Sequence, residues 1–293
     1  MRLHIVIATV GRAELLCRTV ALLSGQTRQP DGIVIVATAP ADIAGLDLTS
    51  GDVRVLLCEK GLCRQRNRAL DALKNQTDAI IFFDDDFIPA PDYLASVEAL
   101  FRVNERIVGI TGDLLGDGVL SGGYTIEQAM RMISARQVAL PPAMTRRREL
   151  YGCNMAIRAA AIEGLRFDEN LPLYGWQEDV DFTSRLGRRG ELVASSSVTG
   201  VHLGTSGGRT SGRRLGYSQI ANVLYLRHKG TMRAEMGNRL MSRNFLANLL
   251  GSMMARPGVD RRGRLLGNLV AVRDCLRGEL DPRRILTMRE PGR

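Results

Sequence analysis

Paired cysteines, lysines and long apolar runs are all scarce in this sequence, and each shortage narrows the field. The five cysteines, Cys17, Cys58, Cys63, Cys153 and Cys275, are odd in number and form no CxxC pair. That argues against a disulfide framework or a cysteine-rich zinc module and fits a reduced, cytoplasmic protein. No apolar stretch reaches the ~20 residues of a bilayer span. The opening ten residues, with one basic residue and a short apolar core, read as a first strand rather than a signal peptide. Neither GxGxxG nor a glycine- and lysine-rich phosphate loop follows that strand, which argues against a nicotinamide dehydrogenase and a nucleotidyltransferase. Aromatic residues are only 5% of the chain and scarce in its basic tail. A nucleic-acid-binding protein built on stacking platforms is therefore a minor alternative.

The 293 residues, 45% hydrophobic and 24% charged, suit a soluble globular protein with one large or two modest domains. The net charge of +9 is unevenly spread. From Thr205 onward 18 basic residues face 6 acidic ones, whereas the first 204 residues have 22 against 25. Anionic lipid headgroups, nucleic acid or simple packing could each engage such a tail.

Short apolar runs alternate with helical patterns through the first hundred residues. Strands are expected at 3–8, 32–37, 53–58, 79–83 and 107–111, with helices at 13–23, 62–73 and 91–103. This alternation predicts an α/β fold with a mostly parallel sheet covered on both faces, whose ligands collect beyond the carboxyl ends of the strands. Glycine, proline and arginine then enrich 112–148, which reads as loops and a hinge, or a mobile lid, around one helix at 126–138. A strand-like stretch at 151–157, a helix from about 177 and an extended run at 191–202 follow, and the pattern after 216 is helical. The expected division is 1–112, 113–215 and 216–293.

Asp84, Asp85 and Asp86 stand between the apolar runs 79–83 and 87–89. Three adjacent carboxylates at the end of a buried strand call for a compensating cation, and a divalent metal with oxygen ligands is the economical one. A second acidic cluster, Glu178-Asp179-Val180-Asp181, follows Tyr174 and Trp176, the only tryptophan. Its bland reading is helix capping, with Asp181 and Arg185 as an i,i+4 pair. Aromatic faces beside carboxylates also suit a sugar or a base. His202 precedes a run of glycines containing Arg209. An isolated histidine is more often structural than a ligand, although imidazole binds transition metals and a glycine-rich loop offers amides to phosphate.

Taken in order, Ala8-Thr9 with Arg12, Arg66-Asn67, Phe83 to Asp86, Gly152-Cys153-Asn154-Met155, Trp176 to Asp181 and His202 resemble the inverting family 2 glycosyltransferases of GT-A fold over roughly residues 3 to 210. The resemblance implies that the triplet is the DxD motif, with Mg or Mn bound by Asp86 and His202. It places Ala8, Thr9, Arg12, Arg66, Asp84, Asp85, Asn154, Trp176 and Arg209 around a nucleotide sugar. It maps the catalytic base onto Asp179, with Glu178 beside it. Many relatives end the second strand with an acidic pair near the nucleobase, whereas this chain has Ala37-Thr38-Ala39-Pro40, with Asp42 beyond. The expected donor is a UDP sugar, and the expected acceptor is a glycan or lipid-linked saccharide. Expected too are a cytoplasmic enzyme with peripheral membrane contact through its basic C-terminal helices, no nucleic-acid partner, and a homodimer. A catalytically inactive nucleotide-sugar-binding scaffold is the other alternative.

Overall fold

A computed structural model describes residues 1–49, 51–137, 141–205, 211–253 and 259–288. The chain folds into two compact units. The first comprises Met1–Lys60, Arg64–Arg166 and Phe182–Gly208; the second comprises Gly61–Cys63, Phe167–Asp181 and Arg209–Arg293.

In chain order the elements are β1 (Leu3–Ala8), α1 (Ala13–Leu23), β2 (Gly32–Ala37), β3 (Val53–Leu57), α2 (Leu62–Leu73), β4 (Ala79–Asp84), β5 (Phe87–Pro89) and α3 (Tyr93–Val103). They continue with β6 (Ile107–Asp117), α4 (Gly118–Ser121), α5 (Ile126–Ser134), β7 (Met144–Arg147), β8 (Asn154–Arg158), α6 (Glu178–Leu186) and β9 (Glu191–His202). Three long helices follow, α7 (Gly212–Lys229), α8 (Ala234–Ser252) and α9 (Arg261–Leu276), and then a short 3-10 helix, Pro282–Leu286.

The first unit holds a nine-stranded sheet in the order β3-β2-β1-β4-β8-β6-β9-β5, with β7 also paired to β9. The expected α/β class is present. Parallel pairing joins β3, β2, β1 and β4 and recurs between β6 and β9, whereas β8, β5 and β7 pair antiparallel. Strands β2 and β4 are buried almost throughout, as expected where helices cover both faces. Leu3, Ile5 and Ile7 meet Leu16 of α1 and Leu94 and Val97 of α3 in one core. On the opposite face Arg66 of α2 lies over the Phe82 ring, 5.5 Å from its centroid.

The sequence reading of 112–148 needs revision. Strand β6 runs on to Asp117, because its second half pairs with the second half of β9 after a register shift. A capping box between Thr125 and Gln128 starts α5, which ends at Ser134; position 138, the expected end, lies outside the described residues. The exposed, polar β7 carries no alternating apolar pattern that could announce it.

In the second unit α7 packs against α9, and both pack against α8. The crossing of α7 and α9 is a backbone approach. A Cβ built on Gly216 would stand 2.0 Å from the Arg264 carbonyl oxygen, and one on Gly267 would stand 2.1 Å from that of Arg213. Buried amides tie the three helices together: Asn248 Nδ2 donates to Gln219 Oε1 at 2.8 Å and to Asn268 Oδ1 at 2.9 Å, and Asn268 Nδ2 donates to the Gly216 carbonyl at 2.6 Å. Each satisfied amide avoids the ~1–3 kcal/mol cost of a buried orphan.

Candidate functional site

Strand β4 ends at Asp84, Asp85 and Asp86 form a turn, and the chain enters β5, whose Phe87 is the antiparallel partner of His202. That register brings His202 to the triplet. Its Nε2 lies 3.3 Å from Asp86 Oδ1 and 4.0 Å from Asp84 Oδ2. The three donor atoms of Asp84, Asp86 and His202 all lie within 4.8 Å of one another. Two hard carboxylate oxygens and one imidazole nitrogen make a donor set suited to Mn or Mg.

Behind the histidine, Nδ1 meets Asp117 Oδ1 at 3.1 Å, and Tyr151 donates its hydroxyl to Asp117 Oδ2 at 3.2 Å. The Tyr151 ring stands edge-on to the imidazole at 6.0 Å. A carboxylate on the far nitrogen of a ligating histidine fixes its orientation and raises its basicity, so the residues present fit a metal ion. Glycine makes this packing possible: a Cβ on Gly118 would come within 1.9 Å of the Leu203 carbonyl oxygen.

Electrostatics divide the three aspartates. Burial would raise the Asp86 carboxyl, but His202, then Arg12 and the Thr205 hydroxyl, hold it well below the usual carboxylate range. Arg12 Nη1 reaches Asp86 Oδ2 at 3.1 Å, and the Thr205 backbone N–H and hydroxyl donate to the same oxygen at 3.0 and 2.9 Å. Asp85 is buried with Thr9 Oγ1 at 2.7 Å and Arg12 at 3.1 Å. Burial outweighs Arg12 there and raises its carboxyl to about 7. Burial would depress His202, yet its bonds to Asp117 and Asp86 raise it to about 10.

Asp84 is the partly exposed member of the triplet, with the buried Arg66 at 3.2 Å and Ala8 as its neighbour in register across β1. Arg66 also donates to the Gly152 carbonyl at 2.8 Å, so it anchors Asp84 from below. The first unit thus brings together Ala8, Thr9, Arg12, Arg66, Asp84, Asp85, Asp86 and His202.

Asn154 is placed otherwise than the sequence led us to expect. Its side chain is fully buried, accepting from Thr111 Oγ1 at 2.6 Å and donating to the Gly112 carbonyl at 3.2 Å. It ties β8 to β6 and does not present its amide outward. Asp42 is likewise occupied, accepting from the backbone N–H groups of Gly11, Thr38 and Ala39 and from the Thr38 hydroxyl. Arg209 lies outside the described residues. Asp117, Tyr151 and Thr205 escaped sequence reasoning, although Asp117 stands in a Gly-Asp-Gly step and Thr205 three residues past His202.

Trp176, Glu178 and Asp179 belong to the second unit. Glu178 is buried and Asp179 and Trp176 are half-buried, with both acids in the first turn of α6, where the helix dipole favours negative charge. Leu173, Gly175 and Gln177 precede them with φ of 57°, 61° and 72°. A left-handed conformation costs a residue other than glycine about 1–2 kcal/mol, and such strain concentrates at functional loops. Asp181 is fully buried on Lys229 at 2.8 Å and Thr231 Oγ1 at 2.8 Å, a structural anchor for that turn.

Residues 4–164 match the model of Glycosyl transferase family 2. This chain belongs to that family, and it is a glycosyltransferase. Among solved structures it is similar to S. aureus TarS 1-349, with a TM-score of 0.57 and 12% identity over 97% of this chain and 82% of that one. It is also similar to GalNAc-T7 with UDP, GalNAc and Mn2+, with a TM-score of 0.59 and 15% identity over 98% of this chain and 56% of that one. At these identities the likeness establishes the GT-A fold. No curated protein matches the sequence.

Proposed function

We propose that this enzyme transfers a sugar, with inversion, from a nucleoside-diphosphate sugar to a glycan or lipid-linked saccharide during polysaccharide biosynthesis. The observation that carries the reading is the convergence of Asp84, Asp86 and His202, oriented by Asp117, in a family 2 glycosyltransferase. UDP is the expected nucleotide, and the GalNAc-T7 structure, with UDP and Mn2+, supports it by analogy. Asp84, Asp86 and His202 would hold Mn or Mg, which when bound supplies Lewis-acid stabilisation to the diphosphate leaving group. Arg12 keeps Asp85 and Asp86 in place, while Ala8, Thr9, Asp84 and Arg66 line and support the nucleotide side.

Asp179 would accept the proton of the acceptor hydroxyl, with Glu178 shaping its turn and Trp176 offering an aromatic face to a sugar. In this reading residues 1–112 bind the donor, 113–215 serve the acceptor and chemistry, and 216–293 form a basic extension. A lipid-linked acceptor would bring the enzyme to the inner face of a membrane, in contact through that extension; a homodimer is compatible with the same reading.

The direct test screens nucleotide sugars for Mn-dependent nucleotide release, with Asp86→Ala as the control. Release with one donor, abolished in Asp86→Ala, supports the reading; no metal-dependent release or binding with any donor overturns it. Asp179→Asn should bind nucleotide and metal normally while losing transfer by about 100- to 10,000-fold. Normal transfer by that variant would remove Asp179 as the base.

A further inference from the structure

We propose that the outward faces of α8 and α9 form one docking surface for an anionic lipid bilayer, on which the two helices lie flat. The inference deepens the membrane contact in the reading above and does not require sugar transfer. Eight of the seventeen large apolar side chains exposed among the described residues fall on these two helices and the α8 cap. On α8 they are Leu246, Leu249, Leu250 and Met253, spaced i, i+3, i+4 and i+7, with Met253 69% exposed. On α9, Leu266, Leu269, Val272 and Leu276 follow at i, i+3, i+6 and i+10, and Leu276 is 85% exposed. Such spacing puts each set on one face of its helix.

Arginine shares those faces. Arg239 and Arg243 stand seven and three residues before Leu246, Arg262 four before Leu266, and Arg273 four after Leu269, so each falls on the leucine stripe. All four are exposed. Between residues 236 and 278 the aspartates are Asp260, which caps α9, and Asp274, which is fully buried with Arg284 at 2.6 Å. Glu235, exposed in the first turn of α8 and eleven residues before Leu246, also falls on the α8 stripe, so the surface is apolar and net cationic, with four exposed arginines against that one carboxylate.

That combination selects the occupant. A second copy of the chain would set arginines against arginines, whereas an anionic bilayer accepts the leucines between its headgroups and neutralises the arginines. Among the described residues no helix is long and apolar enough to cross a membrane, so attachment would be in the plane of the surface. The amide network of Gln219, Asn248 and Asn268 holds the helices as a stiff platform.

The test is flotation of the full chain with phosphatidylcholine vesicles and with vesicles containing phosphatidylglycerol. We expect flotation with the anionic vesicles only, weakened by high salt. The double variant Leu250→Glu/Leu269→Glu should lose at least tenfold in partitioning with an unchanged melting temperature, and Arg239→Ser/Arg243→Ser should lose affinity by about fivefold per arginine. If the glutamate pair disturbs folding, Leu250→Ser alone should show a smaller loss at native stability. Protein left at the bottom with anionic vesicles overturns the proposal, as does equal flotation on neutral ones. It is also overturned by a vesicle-free dimer, seen by light scattering, that the glutamate pair dissociates. Nucleotide release measured without vesicles tests the transferase reading separately, so the two can fail independently.

Discussion

Asp117 and His202 are register partners on the parallel strands β6 and β9, and their side chains meet at 3.1 Å, turning Nε2 of the imidazole toward Asp86. The ring is thus fixed by backbone pairing on one side and by a carboxylate on the other. Asp117→Asn keeps the shape but weakens that hold. Mn affinity measured by calorimetry should fall about 10- to 100-fold with the fold retained. Affinity unchanged from the parent would show that Asp117 does not orient a ligand.

Metal binding should carry a pH signature. In the metal-free protein the histidine, raised to about 10, is protonated at neutral pH and donates to both Asp117 and Asp86. Ligation needs the neutral ring, so binding should release close to one proton and tighten as pH rises from 7 toward 9. The sign for metal-free stability is opposite: a pKa above its ordinary 6.5 stabilises fully below that value and loses the contribution as pH rises through about 10. Calorimetry in two buffers of different ionisation enthalpy measures the proton count, and a count near zero contradicts His202 as a ligand.

Much of this fold was legible because burial and period coincide. Strands β1 and β2 and helices α1 and α2 lie where their apolar patterns put them. The misses share a physical origin in long-range contacts. Gly116 and Gly118 resembled loop residues, yet Gly118 is required where the backbone meets Leu203, and the extended β6 delivers Asp117. The family resemblance put Asn154 beside the nucleotide sugar, but its side chain is taken up by Thr111 and the Gly112 carbonyl across the sheet. The acidic triplet was readable as a charge problem; its answer needed β9.

Gln177 combines a φ of 72° with a buried Oε1 that finds no hydrogen-bond partner among the described residues. Gln177→Gly removes both costs, and relief of left-handed strain should raise stability by about 1 kcal/mol. Should the strained loop preorganise Asp179, transfer should slow as stability rises. A variant less stable than the parent in thermal melts would show that the loop carries no such strain.

Gly216 gives the sharpest stability prediction, because alanine there adds one atom. On an exposed helix face Gly→Ala would gain up to about 1 kcal/mol from propensity. Here the new Cβ would meet the Arg264 carbonyl oxygen at 2.0 Å, so α7 and α9 must separate. Separation pulls on the 2.6 Å bond from Asn268 to the Gly216 carbonyl and, through Asn268, on Asn248. Overpacking of this kind typically costs 1–3 kcal/mol, and the amide network adds to it, giving a net loss of about 2 kcal/mol. The exposed Leu266→Ala on the same helix pair should stay within ~0.5 kcal/mol of the parent. Denaturant melts of both variants decide the matter: Gly216→Ala at parental stability would mean that the two helices do not make this close crossing.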